Sequence, residues 1–128
     1  MHLDIVTPER QLLSAEVSMV QIPGMEGDMA VMGNHAPTVT TLRPGVLTVT
    51  GGDGVQEFVV TGGFAEISGA GTSVLAEQAV PRADAGSEMF DALLGEAKAA
   101  LETADDASKA AIAQRVNDIT DLKSRIGV

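Results

Sequence analysis

Residues 1–80 carry short runs in which hydrophobic and polar positions alternate, and this pattern predicts a body built of β-strands. The runs are rich in Val, Ile, Leu and Thr, recur about every nine residues, and are separated by Gly or Pro. Such spacing is typical of a sandwich or a flattened barrel. The runs begin near His2, Ala15, Asp28, Thr38, Val46, Val55, Phe64 and Ser73.

The clearest hairpin is predicted around the loop Gly51-Gly-Asp-Gly54. If Thr50 pairs with Val55 across this loop, the alternation places Leu47 opposite Phe58. One face of the pair is then apolar and the other polar, as a half-buried antiparallel pair requires. The glycines of the loop are interpreted as turn residues.

Between Ala15 and Ile22 the alternation changes phase. Val17 and Met19 fall on one face, whereas Val20 and Ile22 fall on the other. Either both faces are covered or a bulge shifts the phase. We favour a bulge near Met19, because the polar residues of this run then all point outward.

Residues 84–127 follow a helical pattern and predict two helices. Ser87 is the expected N-cap of the first helix, Thr103-Ala-Asp-Asp106 fits a capping box for the second, and Gly127 is a C-cap candidate. Because few residues separate the helices, an antiparallel hairpin is expected. The apolar stripes comprise Phe90, Leu93, Leu94, Ala97 and Leu101 in the first helix and Ile112, Val116, Ile119, Leu122 and Ile126 in the second.

Composition narrows the possible functions. The chain has 128 residues and a net charge of −10, which argues against binding to nucleic acid or to an anionic membrane surface. No apolar run approaches the length of a membrane span, and the N-terminus has the features of neither a signal nor a transit peptide. The absence of cysteine excludes disulfides and thiolate chemistry. A cytoplasmic location is the default expectation.

The segment Ile22–Pro37 is dense in glycine and is bracketed by two prolines, which indicates a shaped loop with Glu26 and Asp28 at its tip. It lacks the Gly-Lys-Ser/Thr ending of a phosphate-binding loop. Glu26, Asp28 and His35 could together hold a metal ion, but they lack calcium-loop or zinc spacing. A structured interaction loop is favoured over a metal site, and no nucleophile motif accompanies either histidine.

Five segments stand out in order along the chain, ahead of the Ala-rich helical pair: Leu3-Asp-Ile-Val-Thr-Pro8, Ile22-Pro-Gly-Met-Glu-Gly-Asp28, Gly33-Asn-His-Ala-Pro37, Leu42-Arg-Pro-Gly45 and Gly62-Gly-Phe-Ala-Glu66. Together with the helical pair they resemble a known family, the epsilon subunits of F-type ATP synthases, whose mitochondrial counterpart is called delta. The resemblance implies a flattened β-sandwich of about ten strands that binds the rotor, over residues 1–82, and a helical hairpin arm over residues 83–128.

The resemblance also implies a role. It implies a subunit without catalytic activity, cofactor or metal that links the gamma shaft to the c-ring and couples proton flow to ATP synthesis. It implies a peripheral position on the cytoplasmic face of the bacterial inner membrane, and it leaves open a contact between the arm and the catalytic head. The residues expected to face the c-ring are Glu26, Gly27 and Asp28. Those expected to face gamma are His35, Ala36 and Thr40.

An alternative is a nucleotide-sensing regulator that binds ATP through the arm and inhibits hydrolysis. A triphosphate site needs several bases, and the arm offers only Arg82, Lys98 and Arg115 near the expected positions. Residues 81–128 hold nine acids and six bases, a net charge of −3. We therefore expect weak ATP binding and weak self-inhibition.

Overall fold

The computed structural model describes residues 1–33, 36–52 and 54–128, which form ten strands and two α-helices. The strands are β1 His2–Val6, β2 Gln11–Glu16, β3 Met19–Gly24, β4 Gly27–Val31, β5 Thr38–Thr41, β6 Gly45–Gly51, β7 Gly54–Val60, β8 Gly63–Ser68, β9 Gly71–Ala76 and β10 Ala79–Pro81. A 3₁₀ turn at Arg82–Asp84 precedes α1 Ser87–Thr103 and α2 Asp106–Ile126.

The strands form two five-stranded sheets, which we call sheet A and sheet B. Sheet A has the order β2-β1-β9-β8-β5 and sheet B the order β10-β7-β6-β3-β4. All neighbouring pairs are antiparallel except β1 and β9, which are parallel. The predicted β-sandwich followed by two helices is confirmed. The eight strand starts taken from the pattern omit two strands, β2 and β10.

The predicted β6–β7 hairpin is confirmed with its register. Thr50 pairs with Val55 and Leu47 with Phe58, and both Leu47 and Phe58 are buried. Apolar residues that alternate along both sheets meet in one core, which is the expected arrangement for two sheets packed face to face. Its largest fully buried side chains include Leu3, Ile5, Ile22, Leu47, Val31 and Val74.

The predicted bulge near Met19 is wrong. Strand β2 ends at Glu16 in sheet A, and β3 begins at Met19 in sheet B, so the chain changes sheets between them. Val17 is buried at this crossing, while the hydroxyl of Ser18 donates to the carbonyl of Thr50 at 2.9 Å. The hydrophobic phase changes because the core lies on opposite sides of the two strands, not because one strand gains a residue.

The chain divides into two compact units, Met1–Arg82 and Ala83–Val128, which we call the sandwich unit and the helical unit. In the helical unit, the Nζ of Lys123 lies 2.9 Å from a carboxylate oxygen of Asp91. This pair joins the start of α1 to the end of α2, so the helices run antiparallel. The buried residues of the two helices are Phe90, Leu93, Ala97, Asp118, Ile119 and Leu122.

The helix ends depart from the predicted caps in two places. Gly86, not Ser87, is the N-cap of α1, and no side chain caps that end. Asp105 caps α2 by accepting from the N–H of Ser108 at 2.9 Å, so the predicted segment contains the cap but Thr103 does not provide it. Gly127 is the C-cap of α2 with a φ of 87°, as predicted.

Candidate functional site

Strands β3 and β4 form a tight hairpin that carries the acidic residues singled out by the sequence. Gly24 pairs with Gly27, which leaves Met25 and Glu26 as a two-residue loop. Gly27 has a φ of 125°, a conformation that other L-residues rarely adopt. This geometry explains why glycine stands between the two acids. We call residues 25–28 the acidic tip.

Both carboxylates of the acidic tip face solvent. Glu26 and Asp28 are exposed, and the side-chain amide of Gln21 donates to Asp28 Oδ2 at 3.3 Å. Within residues 1–33, 36–52 and 54–128, no Lys or Arg side chain pairs with either carboxylate. The tip therefore presents two negative charges that remain available to a partner.

The acidic tip is anchored to the opposite sheet. The N–H of Met25 donates to Thr40 Oγ1 at 3.4 Å, and the N–H of Arg43 donates to the carbonyl of Pro23 at 3.0 Å. Gly24 also forms a β-bridge with Leu42. These contacts tie the end of β3 in sheet B to β5 and the residues after it in sheet A, so the tip projects from a fixed base.

The close approach of neighbouring atoms explains why residue 24, at the base of the tip, is glycine. A Cβ added at Gly24 would lie 3.1 Å from the carbonyl oxygen of Gly27 and 3.4 Å from Thr40 Oγ1. Any larger side chain at this position would push β5 and the tip apart. The sequence predicts unusual backbone angles at the glycines of this segment, whereas at Gly24 the requirement is space.

A cleft of about 650 Å³ opens between the acidic tip and β5. It combines carboxylates, hydroxyls and apolar groups, which suits a partner segment with both a positive group and an aliphatic portion. Its lining residues are Gly24, Met25, Glu26, Gly27, Asp28, Met29, Thr38, Val39, Thr40 and Thr41.

An apolar patch lies beside this cleft on the outer face of sheet A. Phe64 and Leu75 pair directly on neighbouring strands and are 42% and 38% exposed. Val39 on β5 is diagonal to Phe64 and is 69% exposed. Contiguous exposed apolar side chains often mark a surface that another protein covers.

The structure groups the predicted site residues differently from the sequence analysis. Glu26, Gly27 and Asp28 lie together in the acidic tip, and Thr40, which was expected on a separate gamma-facing side, lines the same cleft. Ala36 is exposed, and His35 lies outside the described residues. Sequence reasoning missed Met25 and Val39. The alternation in Thr38-Val39-Thr40-Thr41 is the signal that could have indicated an outward-facing Val39.

Within the described ranges, no three His, Cys, Asp or Glu side chains lie close enough together to hold a metal ion. No helix of the described residues is long and apolar enough to cross a bilayer.

The bases considered for a triphosphate site belong to different units of the chain. Arg82 belongs to the sandwich unit, where its Nη1 lies 2.9 Å from a carboxylate oxygen of Glu57. Lys98 is exposed on α1, and Arg115 is half-buried on α2. Arg82 is therefore already paired with a carboxylate, which reduces the positive charge available to an anionic ligand.

Comparisons with known proteins point to one family. A family model described as "ATP synthase, Delta/Epsilon chain, beta-sandwich domain" matches residues 1–82. An "ATP synthase epsilon chain" of Fuscovulum blasticum is 46% identical over 127 residues, covering 99% of this chain and 96% of that protein. One of Ruegeria sp. (strain TM1040) is 50% identical over 106 residues, covering 83% and 77%.

Solved structures show the same fold. A chain in the mitochondrial ATP synthase of Euglena gracilis, from a structure of its OSCP, F1 and c-ring, superposes with a TM-score of 0.72 at 28% identity, covering 97% of this chain and 79% of that chain. A chain in the central stalk and c-ring of the Tetrahymena thermophila mitochondrial ATP synthase has a TM-score of 0.76 at 16% identity, covering 100% and 96%.

Proposed function

The chain belongs to the delta/epsilon family of ATP synthase subunits, and we propose that it is a non-catalytic rotor subunit that links the gamma shaft to the c-ring. In this role it transmits torque, so that proton flow through the membrane drives ATP synthesis. It is a peripheral component on the cytoplasmic face of the bacterial inner membrane. Residues 1–82 bind the rotor and residues 83–128 form the arm.

The observation that supports this role most strongly is the anchored acidic tip. A part that carries torque must not yield under load, and the tip is held at its base by the hydrogen bond from the N–H of Met25 to Thr40 Oγ1 and by that from the N–H of Arg43 to the carbonyl of Pro23. Glu26 and Asp28 are exposed and suit a basic surface on the ring. Complementary charge mainly sets the specificity and rate of docking, while apolar contact adds affinity.

The apolar patch is proposed as the contact with gamma. Val39, Phe64 and Leu75 would lose their exposure to water against the shaft, and each buried apolar side chain contributes up to roughly 1.5–3 kcal/mol before the costs of association. Ala36 and Pro37 precede β5 and are also exposed. Thr40 holds the base of the acidic tip and does not contact gamma directly.

The arm is proposed to bind ATP weakly and to inhibit hydrolysis weakly. Arg82 is paired with Glu57, and α1 carries four acids, Glu88, Asp91, Glu96 and Glu102, against the single base Lys98. Four phosphate charges would therefore meet a mostly negative helix. A nucleotide-sensing regulator remains the second candidate, and nothing observed in the helical unit favours it.

Charge reversal at the acidic tip tests the coupling role. In reconstituted ATP synthase, Asp28→Lys is expected to leave the chain folded, because exposed substitutions change the unfolding free energy by within about 0.5 kcal/mol. It should reduce ATP-driven proton pumping relative to ATP hydrolysis. The matched control is Glu102→Lys, the same charge reversal at an exposed position of α1. Unchanged pumping with Asp28→Lys would remove Asp28 from the coupling surface.

A further inference from the structure

Methionine is the only sulfur-containing residue type in this chain. The chain has no cysteine and six methionines, all within the described residues. Only Met25 and Met32 among them are more than half exposed, at 58% and 54%. An exposed thioether is open to oxidation to the sulfoxide, a modification that methionine sulfoxide reductases reverse.

Met25 is the only apolar side chain in the acidic tip. It lies between Gly24 and Glu26 and lines the cleft against β5. Its backbone N–H is held by Thr40 Oγ1, which fixes the backbone position from which the side chain extends. A flexible thioether beside two carboxylates provides the apolar part of a surface whose charged part is Glu26 and Asp28.

We propose that Met25 is a redox-sensitive contact residue, and that its oxidation to the sulfoxide prevents the acidic tip from docking on the ring. This inference rests on the proposed function. The oxidant class is a peroxide: its O–O bond breaks, one oxygen forms the S=O bond, the sulfur loses two electrons to the peroxide, and water leaves. The product is a polar group where the docked state requires an apolar one.

Docking would cover the tip, so oxidation acts on the unassembled chain and controls its incorporation into the rotor. Met29 lines the same cleft but is half-buried, and its Sδ lies 3.4 Å from the position a Cβ would take at Gly24. It should therefore react more slowly than Met25. Met32 matches Met25 in exposure but does not line the cleft, so it provides the control for reactivity without contact.

The test treats the full chain with hydrogen peroxide, maps sulfoxides by peptide mass spectrometry, and measures binding to a gamma–c-ring complex stripped of this subunit. Peroxide should weaken binding of the wild type roughly tenfold, as expected when one buried apolar contact is lost. Met25→Leu should bind equally well before and after treatment. Met32→Leu should remain as sensitive as the wild type, and Met25→Gln should bind weakly without peroxide while keeping its circular dichroism spectrum.

Two results would overturn the proposal, and they are distinguishable. If the untreated chain binds the complex but peroxide weakens Met25→Leu as much as wild type, or leaves the wild type unaffected, the redox inference alone fails. If the untreated chain does not bind at all, the proposed rotor function fails and the inference fails with it.

Discussion

The backbone N–H of Met25 donates to the hydroxyl oxygen of Thr40, 15 residues further along the chain, at 3.4 Å. The same hydroxyl donates to the carbonyl of Thr41 at 3.1 Å. One side chain of β5 therefore holds the acidic tip in sheet B against an edge strand of sheet A. This relationship makes the tip a fixed projection instead of a free turn.

Thr40→Val should loosen the acidic tip. The substitution keeps the shape of the side chain but removes both hydrogen bonds, which should cost about 1 kcal/mol of unfolding free energy. The amide of Met25 should exchange with solvent faster, as measured by hydrogen–deuterium exchange, and binding to the ring should weaken. Thr40→Ser retains the hydroxyl and should restore both properties. Equal exchange in the Val and Ser variants would show that Thr40 does not hold the tip.

Gly63→Ala should be among the most destabilising single changes in the sandwich unit. Gly63 has a φ of 109°, and a Cβ there would overlap the carbonyl oxygen of Leu75 and lie 2.9 Å from Cα of Ala76. We expect a loss of about 3 kcal/mol or more in urea unfolding. Gly52→Ala is the control, because nothing lies within 4 Å of its added Cβ. Similar midpoints for the two variants would contradict the packing described for β8 and β9.

Stability in acid should depend on the hydroxyl of Ser14. A hydrogen bond from Ser14 and the neighbouring His2 lower the pKa of Asp4, although burial opposes them. A lowered pKa stabilises the fold above the unfolded value of about 4, and this contribution is lost as pH falls through the folded value. Ser14→Ala should therefore move acid unfolding to higher pH.

Ser73, on the other side of Asp4, provides the control for the shift in the pH of acid unfolding. Ser14 pairs with Asp4 from β2, and Ser73 pairs with it from β9. Ser73→Ala should leave the midpoint of acid unfolding in place, because Ser73 does not contribute to the lowered pKa. Circular dichroism followed from pH 7 to pH 2 measures both variants. An identical shift for the two would assign the effect to lost packing instead of the hydrogen bond.

ATP should bind weakly, with a dissociation constant above about 1 mM by isothermal calorimetry. Arg82 is paired with Glu57, and Lys98 is the single base of α1. Lys98→Ala should therefore leave the small binding heat almost unchanged. A micromolar constant that Lys98→Ala abolishes would show that the helical unit assembles a phosphate site around Lys98 after all.

The sequence could predict the features of the fold that depend on local alternation of apolar and polar residues. The register of Leu47 with Phe58 follows from two amphipathic strands joined by a glycine-rich turn. Strand β2 escaped detection because Leu12 and Leu13 are adjacent and neither is fully buried, so the strand has no clear alternation. Strand β10 has three residues and ends at Pro81, which leaves too short a pattern to recognise.

The site could be predicted only in part, because strand order is not a local property. The exposure of Glu26 and Asp28 follows from the glycines and charges around them. The contact between Met25 and Thr40 arises because β4 and β5 are edge strands of different sheets and Gly24 bridges to Leu42. Nothing in residues 22–41 reveals that pairing, so the hydrogen bond between Thr40 and the tip could not be predicted.

Cross-linking from the acidic tip shows which subunit the tip docks on. Because the chain has no cysteine, Glu26→Cys introduces a single thiol that can carry a photoactivated cross-linker. Gly52→Cys is the control, since the register of β3 with β6 places the β6–β7 turn at the opposite end of sheet B from the tip. In assembled ATP synthase, cross-linked products from the tip should contain the c subunit, and those from the control should not. Products from the tip that contain gamma or a catalytic-head subunit, without the c subunit, would rule out docking of the tip on the c-ring.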